Sequence, residues 1–222
     1  MEDSNAERFG ALGGVVFVVL DVTIAVLGGE PPATDVARSE VAAYYADKAP
    51  VIEAGLWLFG LAAVALIWWF GSLWRRMARS EAGAARLAVV SLVGLALAGA
   101  LSLASASVSA AVALRIDDAG AGLLVFHTLA VVLLAASGFG VATHLLATSV
   151  LGVRTGTLSW WVVVVGVVSA AGFLGSAILA ATGSSDAASA IGVVGFALWC
   201  VWILGVSARM WTDSRRSAAL AS

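Results

Sequence analysis

The chain has 222 residues, 61% of them apolar and only 12% charged, with a mean hydropathy of +1.01. A soluble domain runs about 45–50% apolar and about 25% charged, so this chain cannot hide its apolar side chains in one water-facing globule and is expected to be a polytopic membrane protein. One Cys (Cys200), two His (His127 and His144) and a net charge of -2 without a basic stripe exclude a disulfide framework, a four-ligand Cys/His zinc site, most iron–sulfur chemistry and nucleic-acid binding.

A membrane-spanning helix needs about 20 predominantly apolar residues. Six stretches meet that length: Phe9 to Leu27, Val51 to Trp74, Leu87 to Leu114, Ala121 to Leu151, Ser159 to Ala181 and Ala188 to Met210. They leave no room for a separate soluble domain, so residues 1–222 are expected to form one all-α domain, a bundle of six transmembrane helices. The segment Met1-Glu-Asp-Ser-Asn-Ala-Glu-Arg8 lacks the basic n-region of a secretory signal, and the first span is expected to be retained.

In lipid, small residues and interhelical hydrogen bonds mark the faces where helices meet. On the first span Gly10, Gly14, Phe17, Asp21, Ala25 and Gly28 form such a stripe. The connection from Gly28 to Pro50 follows, opened by Gly-Gly-Glu-Pro-Pro. Within it Asp35 is placed to cap a short helix carrying Val36, Ser39, Glu40, Ala43 and Tyr44, expected to lie on the outer surface and to end near Tyr45. It reads either as a solvated cover of the bundle or as a membrane-dipping or ligand-gating lid, and Glu30, Asp35, Glu40 and Asp47 oppose binding to anionic lipid. The second span carries Glu53, Trp57, Gly60, Val64, Ile67 and Gly71 at helical spacing. The third carries Ser91, Gly94, Ala98, Ser102, Ser105 and Ser109, a continuous small face that predicts a central position. On the fourth, His127 and His144 stand 17 residues apart, separated by about 25 Å along the axis, so they cannot ligate one haem iron. His144 reads as a satisfied packing residue and Cys200, on the sixth span, as a small apolar filler. Asp117-Asp118 and Gly183-Ser-Ser-Asp186 read as tight outer turns.

Basic residues orient the bundle. With an even number of spans both termini share one side, and that side holds nine Arg and Lys against three at Arg38, Lys48 and Arg115. Both termini are therefore expected in the cytoplasm of a cell with this protein in its plasma membrane. Trp68, Trp69, Trp74, Trp160, Trp161 and Trp211 fall at the same predicted interface, where amphipathic rings prefer to sit.

At 1.5 Å per residue, Asp21 and His127 lie about 9 Å below the outer surface, Ser109 about 8 Å and Glu53 about 3 Å. A carboxyl group at that depth either stays protonated or recruits a counter-charge, which predicts an Asp21–His127 pair with Ser109 or Glu53 nearby and Arg115 reaching down from the boundary. A carboxylate, an imidazole and a hydroxyl at one level suit binding of a proton, a cation or a small amphiphile, for transport or sensing. The same groups also suit a structural knot in which each satisfies another. Two further readings are a non-catalytic scaffold or accessory subunit that binds a partner membrane protein through its Gly/Ser stripes, and an intramembrane acid/base enzyme with Asp21 or Glu53 as acid and Trp57 lining the pocket. No phosphate-binding Gly-rich loop, His-Glu-x-x-His, Gly-x-Ser-x-Gly or Asp-Asp-x-x-Asp motif is present. No cofactor and no metal is therefore expected, and the partners implied are the lipid bilayer and a small ligand or a membrane protein.

An apolar first helix ending in Gly-Gly-Glu-Pro-Pro, an outer segment Glu40-Val-Ala-Ala-Tyr-Tyr-Ala-Asp47 and a second helix ending in Arg75-Arg76 resemble a broad group of uncharacterised six-helix integral membrane proteins of high-GC bacteria. The resemblance covers nearly the whole chain and implies fold and location. It assigns no catalytic or binding residue.

Overall fold

The computed structural model describes residues 2–81, 83–181 and 185–220. They form six helices: α1 (Glu2–Gly28), α2 (Arg38–Ser80), α3 (Arg86–Leu114), α4 (Leu123–Thr155), α5 (Trp160–Ala181) and α6 (Ser185–Leu220), with two single 3-10 turns, Ile116–Asp118 and Gly120–Gly122, between α3 and α4. Each helix contains a stretch long and apolar enough to cross a membrane, and the protein is an all-α multi-pass membrane protein. Of the turn predicted at 183–186, Gly183 and Ser184 lie outside the described residues.

The helices follow one another around a ring in chain order, as short connections dictate. α1 packs on α2 and closes the ring on α6, and α2 also reaches α4 across the bundle. The predicted central place for α3 is therefore corrected: α3 sits in the wall between α2 and α4, while α4 touches α3, α5 and α2. Its small stripe is nonetheless a close contact, spent almost wholly on α4. A Cβ on Gly94 would come within 2.8 Å of the Gly140 carbonyl oxygen and 2.9 Å of the His144 nitrogen, and the Ser105 hydroxyl donates to the Ala130 carbonyl at 2.7 Å. Small residues also set the α5–α6 contact, where Gly172 and Gly195 abut and the Ser169 hydroxyl donates to the Gly195 carbonyl at 2.8 Å.

Two expectations for α2 fail. The first is the separate outer-surface helix. Asp35 caps nothing; the helix begins after Ala37 and runs without interruption through Pro50 to Ser80. Its 43 residues make a rod of about 64 Å, twice the hydrocarbon thickness, so its first turns stand beyond the membrane. A proline inside a helix removes one hydrogen bond and crowds the carbonyl four residues back. Burial of Val41 and Tyr45 against Val112, Ala113 and Leu123 offsets that cost. The second is the contact face. Trp57, Val64, Ile67 and Gly71 are exposed, and the helix packs instead through Ala62, Leu66, Trp69, Phe70, Leu73 and Met77. Both stripes are apolar at helical spacing, and one of them faces lipid. Trp68 and Trp160 are exposed as interface residues should be, whereas Trp69, predicted beside them, is fully buried.

Most buried side chains gather in one core in the half of the bundle that carries both chain termini, with Trp69, Leu145, Trp202 and Ile203 at its centre. A second, smaller core closes the far end around Val41, Tyr45 and Leu123. α3 begins with Ala85 in the left-handed region, and the Glu81 carboxylate takes the Leu87 amide at 2.9 Å and the Ala88 amide at 3.1 Å, capping the positive helix end.

Candidate functional site

At the far end the structure builds a knot around His127. Its Nε2–H donates to the Pro32 carbonyl oxygen at 3.0 Å, and its Nδ1 is 3.3 Å from the Tyr45 hydroxyl. A carbonyl only accepts, so the proton sits on Nε2 and Nδ1 accepts from tyrosine. The Ser109 hydroxyl lies beside the Tyr45 phenol, and the Tyr45 and His127 rings meet edge to face at 5.8 Å. The knot ties the α1–α2 connection, α2, α3 and α4 together. Of the six residues singled out from sequence, it unites His127 and Ser109. Tyr45 joins them, although in the sequence it marks only the expected end of a surface helix.

The other four lie apart from it. Arg115 stays at the surface, paired with Asp118 at 3.3 Å. Trp57 is 78% exposed and lines no pocket with Asp21. Glu53 is half-buried one helical turn from Trp57. Asp21 is half-buried on α1, one helical turn beyond the edge-on contact of Phe17 with Trp199 of α6 at 5.3 Å. No hydrogen bond or ion pair joins Asp21 to any described residue, and the expected pair with His127 does not form because both imidazole nitrogens are engaged elsewhere. Asp21 is thus a carboxylate inside a transmembrane helix with no cation or donor against it. An unpaired carboxylate in that position is costly while it is ionised.

The larger core holds a site that the sequence did not disclose. His144 is fully buried, its Nδ1 2.7 Å from the Ser91 hydroxyl, with Phe70, Trp202 and Trp69 edge to face at 5.5, 5.4 and 6.5 Å. Its carbonyl accepts from Thr148, and the Trp69 indole donates to the Ser207 hydroxyl at 2.9 Å. The reading of His144 as a satisfied packing residue holds for Nδ1 alone. Nε2 has no hydrogen-bond partner among the described residues, nor have Trp202 Nε1 and Ser149 Oγ, which both close on the place a Cβ of Gly166 would take. Four helices meet at this ring, which makes it the packing node of the bundle.

At the termini end Arg76 of α2 pairs with Asp213 of α6, with Arg209 4.0 Å away. Between α1 and α6 a groove of about 220 Å³ is floored by Ala11, Ser207 and Ala208 and does not reach Asp21. Among the described residues no three His, Cys, Asp or Glu are grouped to hold a metal ion. No known protein family matches the sequence, and neither a curated protein nor a solved structure is similar to it.

Proposed function

We propose that this protein handles a proton or a small polar solute at Asp21, in a plasma membrane that it enters with both termini in the cytoplasm. The observation that carries the reading is the lone carboxylate, half-buried in a span with no partner among the described residues. Fixed structural acids in a membrane are paired, because an isolated charge there is costly. One that is left single stays cheap by holding its proton, and handing that proton to water or to a solute is the elementary step of coupled transport and of pH sensing. The charge asymmetry of the loops supports the orientation. The test is proteoliposomes with a trapped pH indicator and an imposed pH gradient. Wild-type protein should carry a proton flux that Asp21→Asn abolishes and Glu53→Gln keeps. Equal flux in wild type and Asp21→Asn would refute the reading.

A second reading, an accessory subunit that docks a partner helix, draws support from α2. Its lipid-facing stripe carries Val64, Ile67 and Gly71, with Gly60 half-buried in line with them, and nothing comes within 4 Å of where a Cβ on either glycine would stand. A cysteine at Val64 should then cross-link to a second polypeptide in native membranes. Its absence from every adduct would count against that role.

A further inference from the structure

In a ring of six helices packed in chain order, α4 stands opposite α1. The connection leaving α1 nevertheless reaches α4, since Pro32 holds His127, so it crosses the far mouth of the bundle. On the way Glu30 accepts from Ser189 of α6, and beyond it the first turns of α2 rest on the ends of α3 and α4. This crossing has its own small core, separate from the main one. It is bounded by two weak points. At one end are Gly28 and Gly29, the latter with φ of 69° and neither approached by any side chain. At the other is Pro50, which leaves the Ala46 carbonyl without its helical donor.

We infer that residues 29–49 form a hinged cap over the far mouth, closed by two polar clasps, Glu30–Ser189 and Pro32–His127–Tyr45, and that its opening admits water and solute to Asp21. This rests on the reading of Asp21 given above. Asp21 lies seven residues below Gly28, about 10 Å. Swinging at Gly29 and Pro50 breaks no main-core contact, because only the clasps and the small core hold the segment down.

Cys200, the one cysteine of the chain, is buried on α6 next to Trp199, whose ring meets Phe17 one helical turn from Asp21, and reports access to that level of the bundle. The protein in nanodiscs is treated with a charged methanethiosulfonate reagent and modification of Cys200 is followed by mass spectrometry. Tyr45→Phe combined with Ser189→Ala removes one donor from each clasp and leaves the packing in place. Two ordinary hydrogen bonds lost from the closed state should raise the labelling rate about tenfold. Conversely, Glu30→Cys with Ser189→Cys, oxidised to a disulfide, should protect Cys200, and reduction should restore its reaction. Equal labelling in the oxidised and reduced forms, or in the clasp variant and wild type, would overturn the cap. Labelling that follows the clasps while Asp21→Asn leaves proton flux unchanged would uphold the cap and remove the role given to Asp21.

Discussion

Replacing Gly94 by alanine puts a methyl group 2.8 Å from the Gly140 carbonyl oxygen and 2.9 Å from the His144 nitrogen. Both are backbone atoms in the middle of α4 and neither can rotate away. Ordinary contact begins at 3.4 Å, so the two helices must part by about 0.6 Å along their closest stretch. Overpacking of this kind costs about 1–3 kcal/mol, against which alanine returns about 0.8–1 kcal/mol of helix propensity. The net loss is about 0–2 kcal/mol, which for a chain of this size lowers the melting temperature by up to about 8 °C. Gly99, five residues along the same helix, has nothing within 4 Å of its Cβ position, so Gly99→Ala keeps only the propensity gain and should be neutral or stabilising. Gly140→Ala is the reciprocal case, and the double variant should cost less than the sum, since helices already parted by one methyl make room for the second. The assay is thermal unfolding in detergent or nanodiscs followed by circular dichroism. Equal midpoints for Gly94→Ala and Gly99→Ala would show that α3 and α4 do not cross at these glycines.

Ser91→Ala strands the buried Nδ1 of His144 and should cost about 1–3 kcal/mol, whereas Thr143→Ala, on the exposed side of the same turn of α4, should cost less than about 0.5 kcal/mol. The same thermal assay separates them. Asp213→Asn breaks the rim pair with Arg76; because both side chains keep access to solvent, the loss should stay near or below about 1 kcal/mol and shrink in high salt. For orientation, cysteines placed at Thr34 and Ala119 should react with an impermeant reagent added to intact cells, and those at Ser80 and Thr155 should not. The reverse pattern would invert the orientation.

The spans were readable because each depends only on a local count of apolar residues, and the observed helices cover each of them to within two residues. The small face of α3 was readable for a related reason: Gly94, Ala98 and Ser105 are small where a neighbour's backbone must approach. What α3 packs against was not, since one close face says nothing of how many neighbours a helix has. On α2 the period misled. In lipid the protein-facing and lipid-facing sides are equally apolar, and the stripe with two glycines and a carboxylate is the one turned outward. Pro50 ends helices by rule, yet α2 passes through it because Val41 and Tyr45 find cover on α3 and α4, a gain visible only in three dimensions. The site divided the same way. Asp21 and His127 stood out as ionisable groups at membrane depth, but the partner of His127 is Tyr45, 82 residues away. Ser91, which holds His144, is 53 residues away. Nothing local encodes either pairing.

On the function proposed above, Asp21 takes up and releases a proton within the folded bundle. Infrared difference spectra of the protein in nanodiscs, recorded across a pH titration, observe the protonated carboxyl carbonyl directly. A carboxylic-acid band that appears as pH falls in wild type, persists in Glu53→Gln and is missing from Asp21→Asn is the predicted result. Identical carboxyl difference spectra in wild type and Asp21→Asn would contradict it.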